Sequence, residues 1–141
     1  MSTKRNSFGA LTLKTLRAEG FIAQVVEHRI PYANRMIDLF GGIDIVAVDG
    51  AHEERSTIRG VLGVQTCRTR DQATRMKKIL AEPRLKTWVA AGNLLEVWGW
   101  AKKKVKRGGK AAKWEVTRRA VKFGMFPESF PAAVDTAEAG D

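Results

Sequence analysis

Asp38-Leu39-Phe40-Gly41-Gly42-Ile43-Asp44-Ile45-Val46-Ala47-Val48, a polar loop, and then Gly60-Val61-Leu62-Gly63-Val64-Gln65-Thr66-Cys67 decide how this chain folds. Two apolar runs of strand length flank a loop too long for a tight two-residue turn, so they read as neighbouring strands in hairpin order. Side chains alternate along a strand, which places Asp44 on one face with Val46 and Val48, and Gln65 on one face with Gly63 and Cys67. In antiparallel neighbours the start of the first strand lies beside the end of the second. Asp44 and Gln65 therefore meet at one edge of the sheet, polar groups planted where such strands otherwise carry valine or isoleucine.

Upstream, the spacing of Phe8, Leu11 and Leu16 with small Thr12, Thr15 and Ala18 predicts an amphipathic helix over 7–19, stopped by Gly20. Residues 21–30 are rich in β-branched and aromatic side chains and read as one strand closed by Pro31, with Ile22, Val26 and Ile30 on one face and Phe21, Val25 and Glu27 on the other. Residues 32–40 read as irregular, and Gly41-Gly42 as the turn into the hairpin. Downstream of Cys67, Thr69-Arg70-Asp71-Gln72 matches a capping box, followed by a helical stripe of Ala73, Met76, Ile79 and Leu80 that ends at Pro83. A short helical segment over 85–91 turns Trp88 and Val89 inward. Residues 94–101 form a strand with Trp98 and Trp100 on one face and Val97 and Gly99 on the other. A basic loop then leads to a last strand near 114–121. The order helix, three strands, helix, two strands gives an α/β fold whose mixed central sheet is flanked by helices, with a C-terminal basic hairpin. Residues 1–126 read as a single domain, and 127–141 as an acidic, disordered tail.

At 141 residues, 44% apolar and 28% charged, the chain can bury a core without disulfides or a structural metal. Cys67 is the one cysteine, which excludes an intrachain disulfide and any zinc-type cluster and fits a reducing, cytoplasmic setting. No signal peptide and no membrane-spanning run is read from the sequence. The net charge is +10, and residues 102–122 hold ten basic side chains against Glu115 alone, a local balance of +9. Lys102, Lys103, Lys104, Lys106, Arg107, Lys110 and Lys113 dominate that block. Such a stretch favours a polyanion, and phosphate contacts of this kind supply most sequence-independent affinity for nucleic acid. The alternative is a solvated loop that keeps the protein soluble.

The order of elements and the hairpin together resemble the PD-(D/E)xK nuclease superfamily, which includes many restriction endonucleases and archaeal-type Holliday junction resolvases. That family places an Asp at the start of its second strand, and a Glu or Gln, any residue and then a Lys in its third. Ile43-Asp44-Ile45 matches the first position, and Val64-Gln65-Thr66-Cys67 matches the second motif with Gln65 in the acidic slot and Cys67 in the lysine slot. The resemblance implies a restriction-endonuclease-like αβββαβ core, Mg²⁺ (or Mn²⁺) as cofactor, hydrolysis of phosphodiesters, and DNA rather than RNA as partner. Branched DNA and a homodimer are the resolvase-like version of that reading.

The resemblance implies catalytic roles for Asp44 and Gln65, and Glu27 joins that set because an antiparallel turn through 31–42 would bring it near Asp44. Gln65 offers a neutral oxygen where a carboxylate is usual, so a second acid must come from a neighbour. Glu27, late in the first strand, and Asp38, six residues before Asp44, are the candidates, which makes Asp44, Glu27 and Asp38 the metal-ligand set. The missing lysine would be replaced by Arg68, Arg70, Lys77 or Lys102, and Arg68 and Arg70 join the basic block as nucleic-acid contacts. Beside these stand plainer readings. Asp44 caps the Gly-Gly turn, Gln65 is a satisfied polar residue on a half-exposed face, and Cys67 is an inert small hydrophobe. Trp88, Trp98 and Trp100 belong to the core, and Trp114, next to Lys113, is the one aromatic with a stacking role open to it.

Overall fold

The computed structural model describes residues 8–33, 35–49 and 60–130. The chain forms α1 (Phe8–Ala18), β1 (Phe21–Val25), β2 (His28–Ile30), β3 (Arg35–Ile37), β4 (Ile45–Asp49), β5 (Leu62–Arg68), α2 (Gln72–Leu80), α3 (Pro83–Ala90), β6 (Leu94–Lys104) and β7 (Ala112–Ala120). Five strands make one mixed sheet in the order β1-β4-β5-β6-β7, and β2 and β3 make a separate two-stranded ribbon. All pairs are antiparallel except β5 with β6, which are parallel because α2 and α3 carry the chain back across the sheet between them.

Alternation divides the sheet into two apolar faces. Leu16 of α1 packs with Ala23, Ile45, Ala47, Leu62, Val64, Trp98 and Trp100 on one side. On the other, Met76, Ile79 and Leu85 of α2 and α3 pack with Ile43, Cys67, Leu95, Val97, Val121 and Phe126. Both tryptophans of β6 are buried, as the alternation requires, and each indole N–H finds a partner: Trp100 Nε1 donates to Thr12 Oγ1 at 2.9 Å and Trp98 Nε1 to Glu96 Oε1 at 2.9 Å. No helix among the described residues is long and apolar enough to cross a membrane.

Local expectations are corrected at five places. The run 21–30 is two strands, because the amides of Val26 and Glu27 both donate to the Asp44 carbonyl, at 2.8 and 3.3 Å. Two residues against one is the geometry of a bulge, and the chain swings off the sheet there into β2. The stretch 32–40, read as irregular, contains β3, so the first three sheet strands in sequence are not consecutive elements. Ile22 is 69% exposed and the buried residue of β1 is Ala23, because β1 is an edge strand covered by α1 on one face alone.

The capping box at 69–72 does not form, the third of those corrections. Thr69–Asp71 is a 3₁₀ turn, Asp71 caps α2 without a side-chain bond, and the Thr69 hydroxyl is buried without a partner. Gln72 instead reaches across the sheet, its Nε2 donating to the Val97 and Thr117 carbonyls at 3.1 and 2.7 Å. Gly99 makes this possible: a Cβ there would lie 2.5 Å from Gln72 Cδ.

At the C-terminal end, residues 102–104 and 112–113 are strand rather than loop. β6 continues past its last partner on β5, the Arg68–Trp100 pair, and residues 101–104 have β7 alone beside them. This two-stranded extension rises about 13 Å beyond β5 at ~3.3 Å per residue. Residues 127–130, expected to begin the tail, lie against the body: Lys86 Nζ donates to the Pro127 and Glu128 carbonyls, and Phe130 packs on the core. The polar loop 50–59 and the acidic segment 131–141 lie outside the described residues.

Gly99→Ala tests the role of the glycine. The added methyl expels the Gln72 amide, leaving the Thr117 and Val97 carbonyls short of a donor, and unfolding in urea should show a loss of about 1–3 kcal/mol with an unchanged m-value. An alanine variant as stable as the wild type would show that the Gln72 bonds carry no weight.

Candidate metal centre

Asp44 precedes β4, and its own amide donates to the Val64 carbonyl at 2.9 Å, which fixes it opposite Gln65 at the end of the β4–β5 ladder. Its Oδ2 accepts from Gln65 Nε2 at 2.6 Å, from the Thr66 amide at 2.8 Å and from Thr66 Oγ1 at 3.1 Å. The edge-to-edge approach of Asp44 and Gln65 read from the sequence is thus a direct bond. Thr66 was not foreseen as a partner; its place immediately after Gln65 on a strand paired with Asp44 is the signal that could have found it.

The bulge at Val26 and Glu27 swings Glu27 toward Asp44, and the tight turn after β3 returns Asp38 to the same spot. In that turn Leu39 and Ile43 bridge each other, and Phe40 and Gly41 both take positive φ, 53° and 77°. Ligand oxygens of Glu27, Asp38 and Asp44 lie within 4.8 Å of one another. They line a cavity of about 310 Å³ together with Met36, Gln65, Thr66, Arg75 and Lys78.

Three carboxyls this close, one of them buried, repel one another. Burial, then hydrogen bonding to and repulsion from Asp38, and last the charge of Glu27, push the Asp44 carboxyl up to about 8, against the Thr66 amide, which favours the ionised form. Burial and the charge of Asp38 also raise Glu27, while its hydrogen bond with Asp44 pulls it back. Gln65 is 1% exposed, and although its Nε2 is committed to Asp44, its Oε1 has no partner. Buried amide oxygens are rarely left so, and Gln65 lines the same cavity as the three carboxyls, whose oxygens form a hard donor set. That set fits a hard divalent cation such as Mg²⁺ or Mn²⁺: the ion would be held by Asp44, Glu27 and Asp38, with Gln65 on the same wall.

Cations on the cavity wall come from α2. Arg75 and Lys78, three residues apart and so on one helical face, line it, whereas Arg68, Arg70, Lys77 and Lys102, the side chains proposed from sequence, do not. Arg68 and Arg70 are exposed at the end of β5 and in the turn that follows, and Lys77 is exposed on α2. The 3.6-residue spacing that carries Ile79 and Met76 into the core places Arg75 and Lys78 together on one flank and Lys77 on the other, and the packing of α2 on the sheet decides which flank meets the cavity. Cys67 is buried and free, its thiol pushed up to about 11 chiefly by burial, and is an inert core residue.

Of the basic block, Lys102, Lys103 and Lys104 stand on β6, Lys113 on β7, and Lys106, Arg107 and Lys110 in the connection between them, all exposed. Lys103 is opposite Lys113 and lies 3.7 Å from Glu115, and Lys102 Nζ sits 5.5 Å over the ring of half-buried Trp114, which meets Phe8 edge-on. Because β5 and β6 are parallel, the extension leaves the same end of the sheet at which Gln65 and Asp44 meet. No family model, curated protein or solved structure matches this chain.

The raised Asp44 carboxyl makes stability depend on pH in a fixed direction. The folded protein keeps this proton up to about 8, whereas the unfolded chain releases it near 3.8, so the stability present below 3.8 is lost as pH rises through that window. Asp44→Asn should therefore raise the melting temperature at pH 8 by several degrees in chelator, with the gain shrinking toward pH 5. A constant difference at both pH values would contradict the assignment.

Proposed function

We propose that this chain is a metal-dependent DNA endonuclease built on a restriction-endonuclease-like core. The observation that carries the reading is the meeting of three carboxyls and a partnerless buried amide oxygen beneath Arg75 and Lys78, at the end of the sheet from which the lysine-rich β6–β7 extension rises. The succession of α1, the β1-β4-β5 sheet strands, the helical return and β6 supports an αβββαβ core, to which the β2–β3 ribbon and β7 are additions. Hydrolysis of a phosphodiester needs charge neutralised on the phosphate and a water made nucleophilic, and Mg²⁺ or Mn²⁺ at such a centre supplies both. The chain's own groups position the substrate. Lys78 and Arg75 face the cavity and hold the scissile phosphate, in place of the family lysine whose position Cys67 fills. The exposed lysines of the β6–β7 extension bind flanking phosphates without reading sequence, and a two-stranded ribbon of this kind fits a DNA major groove.

A second reading has its own support. Asp44 Oδ2 already takes three hydrogen bonds from β5, the arrangement of a structural pin between two strands. On that reading the protein binds nucleic acid through the basic extension and has lost cleavage.

The two separate in one experiment. The nuclease reading expects cleavage of branched or linear DNA with Mg²⁺ or Mn²⁺, abolished by chelator and by Asp44→Ala, and reduced about 10- to 100-fold by Arg75→Ala or Lys78→Ala. Mn²⁺ should also raise the melting temperature of the wild type at pH 8 and not that of Asp44→Ala. If every lane stays uncut while salt-sensitive DNA binding persists in Asp44→Ala, the binding-only reading stands instead.

A further inference from the structure

A second and larger hollow, of about 830 Å³, lies between the β2–β3 ribbon and the junction of α2 with α3. It shares Met36, Asp38 and Lys78 with the acidic cavity, so the two adjoin. Its wall combines apolar and aromatic side chains left in solvent with cations. Tyr32, the one tyrosine of the chain, is 91% exposed, Met36 is 50% exposed and Phe40 is 37% exposed. Arg35 and Lys78 supply positive charge. Of the acids on the wall, Asp38 belongs to the acidic centre and Glu82 is held by Arg84 through Nε at 3.0 Å. That pairing also seats the Arg84 guanidinium 6.0 Å from the Phe40 ring.

Phe40 marks this groove further. A residue with φ of 53° beside Gly41 at 77° occupies a turn position that asparagine, aspartate or glycine takes without strain and phenylalanine does not. Strain of this kind persists where the side chain has a use; the Phe40 ring packs on Trp88, centroids 6.1 Å apart, and keeps its remaining surface at the groove. Aromatic faces beside cations are the recurring means of holding unpaired nucleotides, which stack their bases and lay their phosphates against lysine and arginine. A duplex hides its base faces and offers this groove nothing to stack.

We propose that this groove is a channel for an unpaired strand, with bases on Tyr32 and Phe40 and phosphates on Arg35 and Lys78. Resting on the nuclease reading, it makes the substrate a junction between duplex and single strand. The layout supports this: the β2–β3 ribbon leaves the sheet at Glu27, on the β1 side of Asp44, and the basic extension rises from β6 and β7 on the other. A substrate crossing the acidic centre meets the extension with its duplex and the groove with its open strand.

The test measures binding by fluorescence anisotropy in chelator, so that cleavage plays no part, with labelled blunt duplex and the same duplex carrying a single-stranded overhang. The overhang should bind about tenfold tighter, the size of one base-stacking contact. Tyr32→Ala and Arg35→Ala should each remove most of that preference and leave blunt-duplex affinity unchanged. Phe40→Asn should do the same; asparagine relieves the turn but gives up the ring contact with Trp88, so the readout is the ratio of overhang to blunt-duplex affinity, which a merely folding effect leaves unchanged. Equal affinity for the two probes, or variants that weaken both alike, overturns the proposal, and displacement of neither probe by an unlabelled single strand would leave the groove to an acidic peptide and overturn it equally. Failure of the wild type to cut the overhang with Mg²⁺ counts against the nuclease reading alone, since the binding order is measured without metal.

Discussion

A single carboxylate oxygen, Asp44 Oδ2, joins the first residue before β4 to two consecutive residues of β5 through one amide N–H, one hydroxyl and one carboxamide. The other atoms of Asp44 are equally committed. Its amide closes the ladder to Val64, and its carbonyl takes the two amides that end β1 and bring Glu27 round. One residue thus sets the register of three strands and gathers the acids. The bulge on β1 and the tight turn after β3 make sense as consequences of that hub, because each returns a carboxyl to Asp44 from a different direction.

Such a gathering is unfavourable for the fold by itself. Carboxyls within 4.8 Å of one another, partly out of water, favour protonation, which is why Asp44 and Glu27 are both raised. The sheet tolerates this because apolar layers on both faces hold β4 and β5 in place whatever the charge state at their end. Electrostatic tension is confined to the strand ends, where a cation or a phosphate can relieve it, and packing stability is kept in the middle. The strained turn at Phe40 lies in the same region. Repulsion, a partnerless buried amide oxygen and an unfavourable backbone conformation therefore cluster within one corner of the described residues.

Much of the architecture was legible in the residues. Alternation along 94–101 correctly divided Trp98 and Trp100 from Val97, and the hairpin order of 45–48 and 60–67 correctly brought Asp44 to Gln65. Periodicity found α1, α2 and α3. What periodicity could not see was competition for partners. Thr69 and Gln72 fit a capping box locally, yet Gln72 reaches two sheet carbonyls that a local motif knows nothing of. Residues 21–30 have uniform strand propensity, and only the Asp44 carbonyl, eighteen positions after Val26, interrupts them. The cations of the site were missed because proximity in sequence to Gln65 favoured Arg68 and Arg70, while the helix turns Arg75 and Lys78 toward the cavity.

By itself, then, the sequence determined the class of fold, the two-faced sheet, the pairing of Asp44 with Gln65 and the concentration of positive charge near the C-terminal hairpin. These follow from short-range periodicity, from the rule that antiparallel neighbours meet end to start, and from simple counting. Tertiary structure alone decided that Glu27 and Asp38 both reach Asp44, that Arg75 and Lys78 face them, and that an aromatic, cationic groove opens from the same point. Those outcomes depend on where a bulge and a tight turn send the chain, and a bulge is set by hydrogen bonds between residues far apart in sequence.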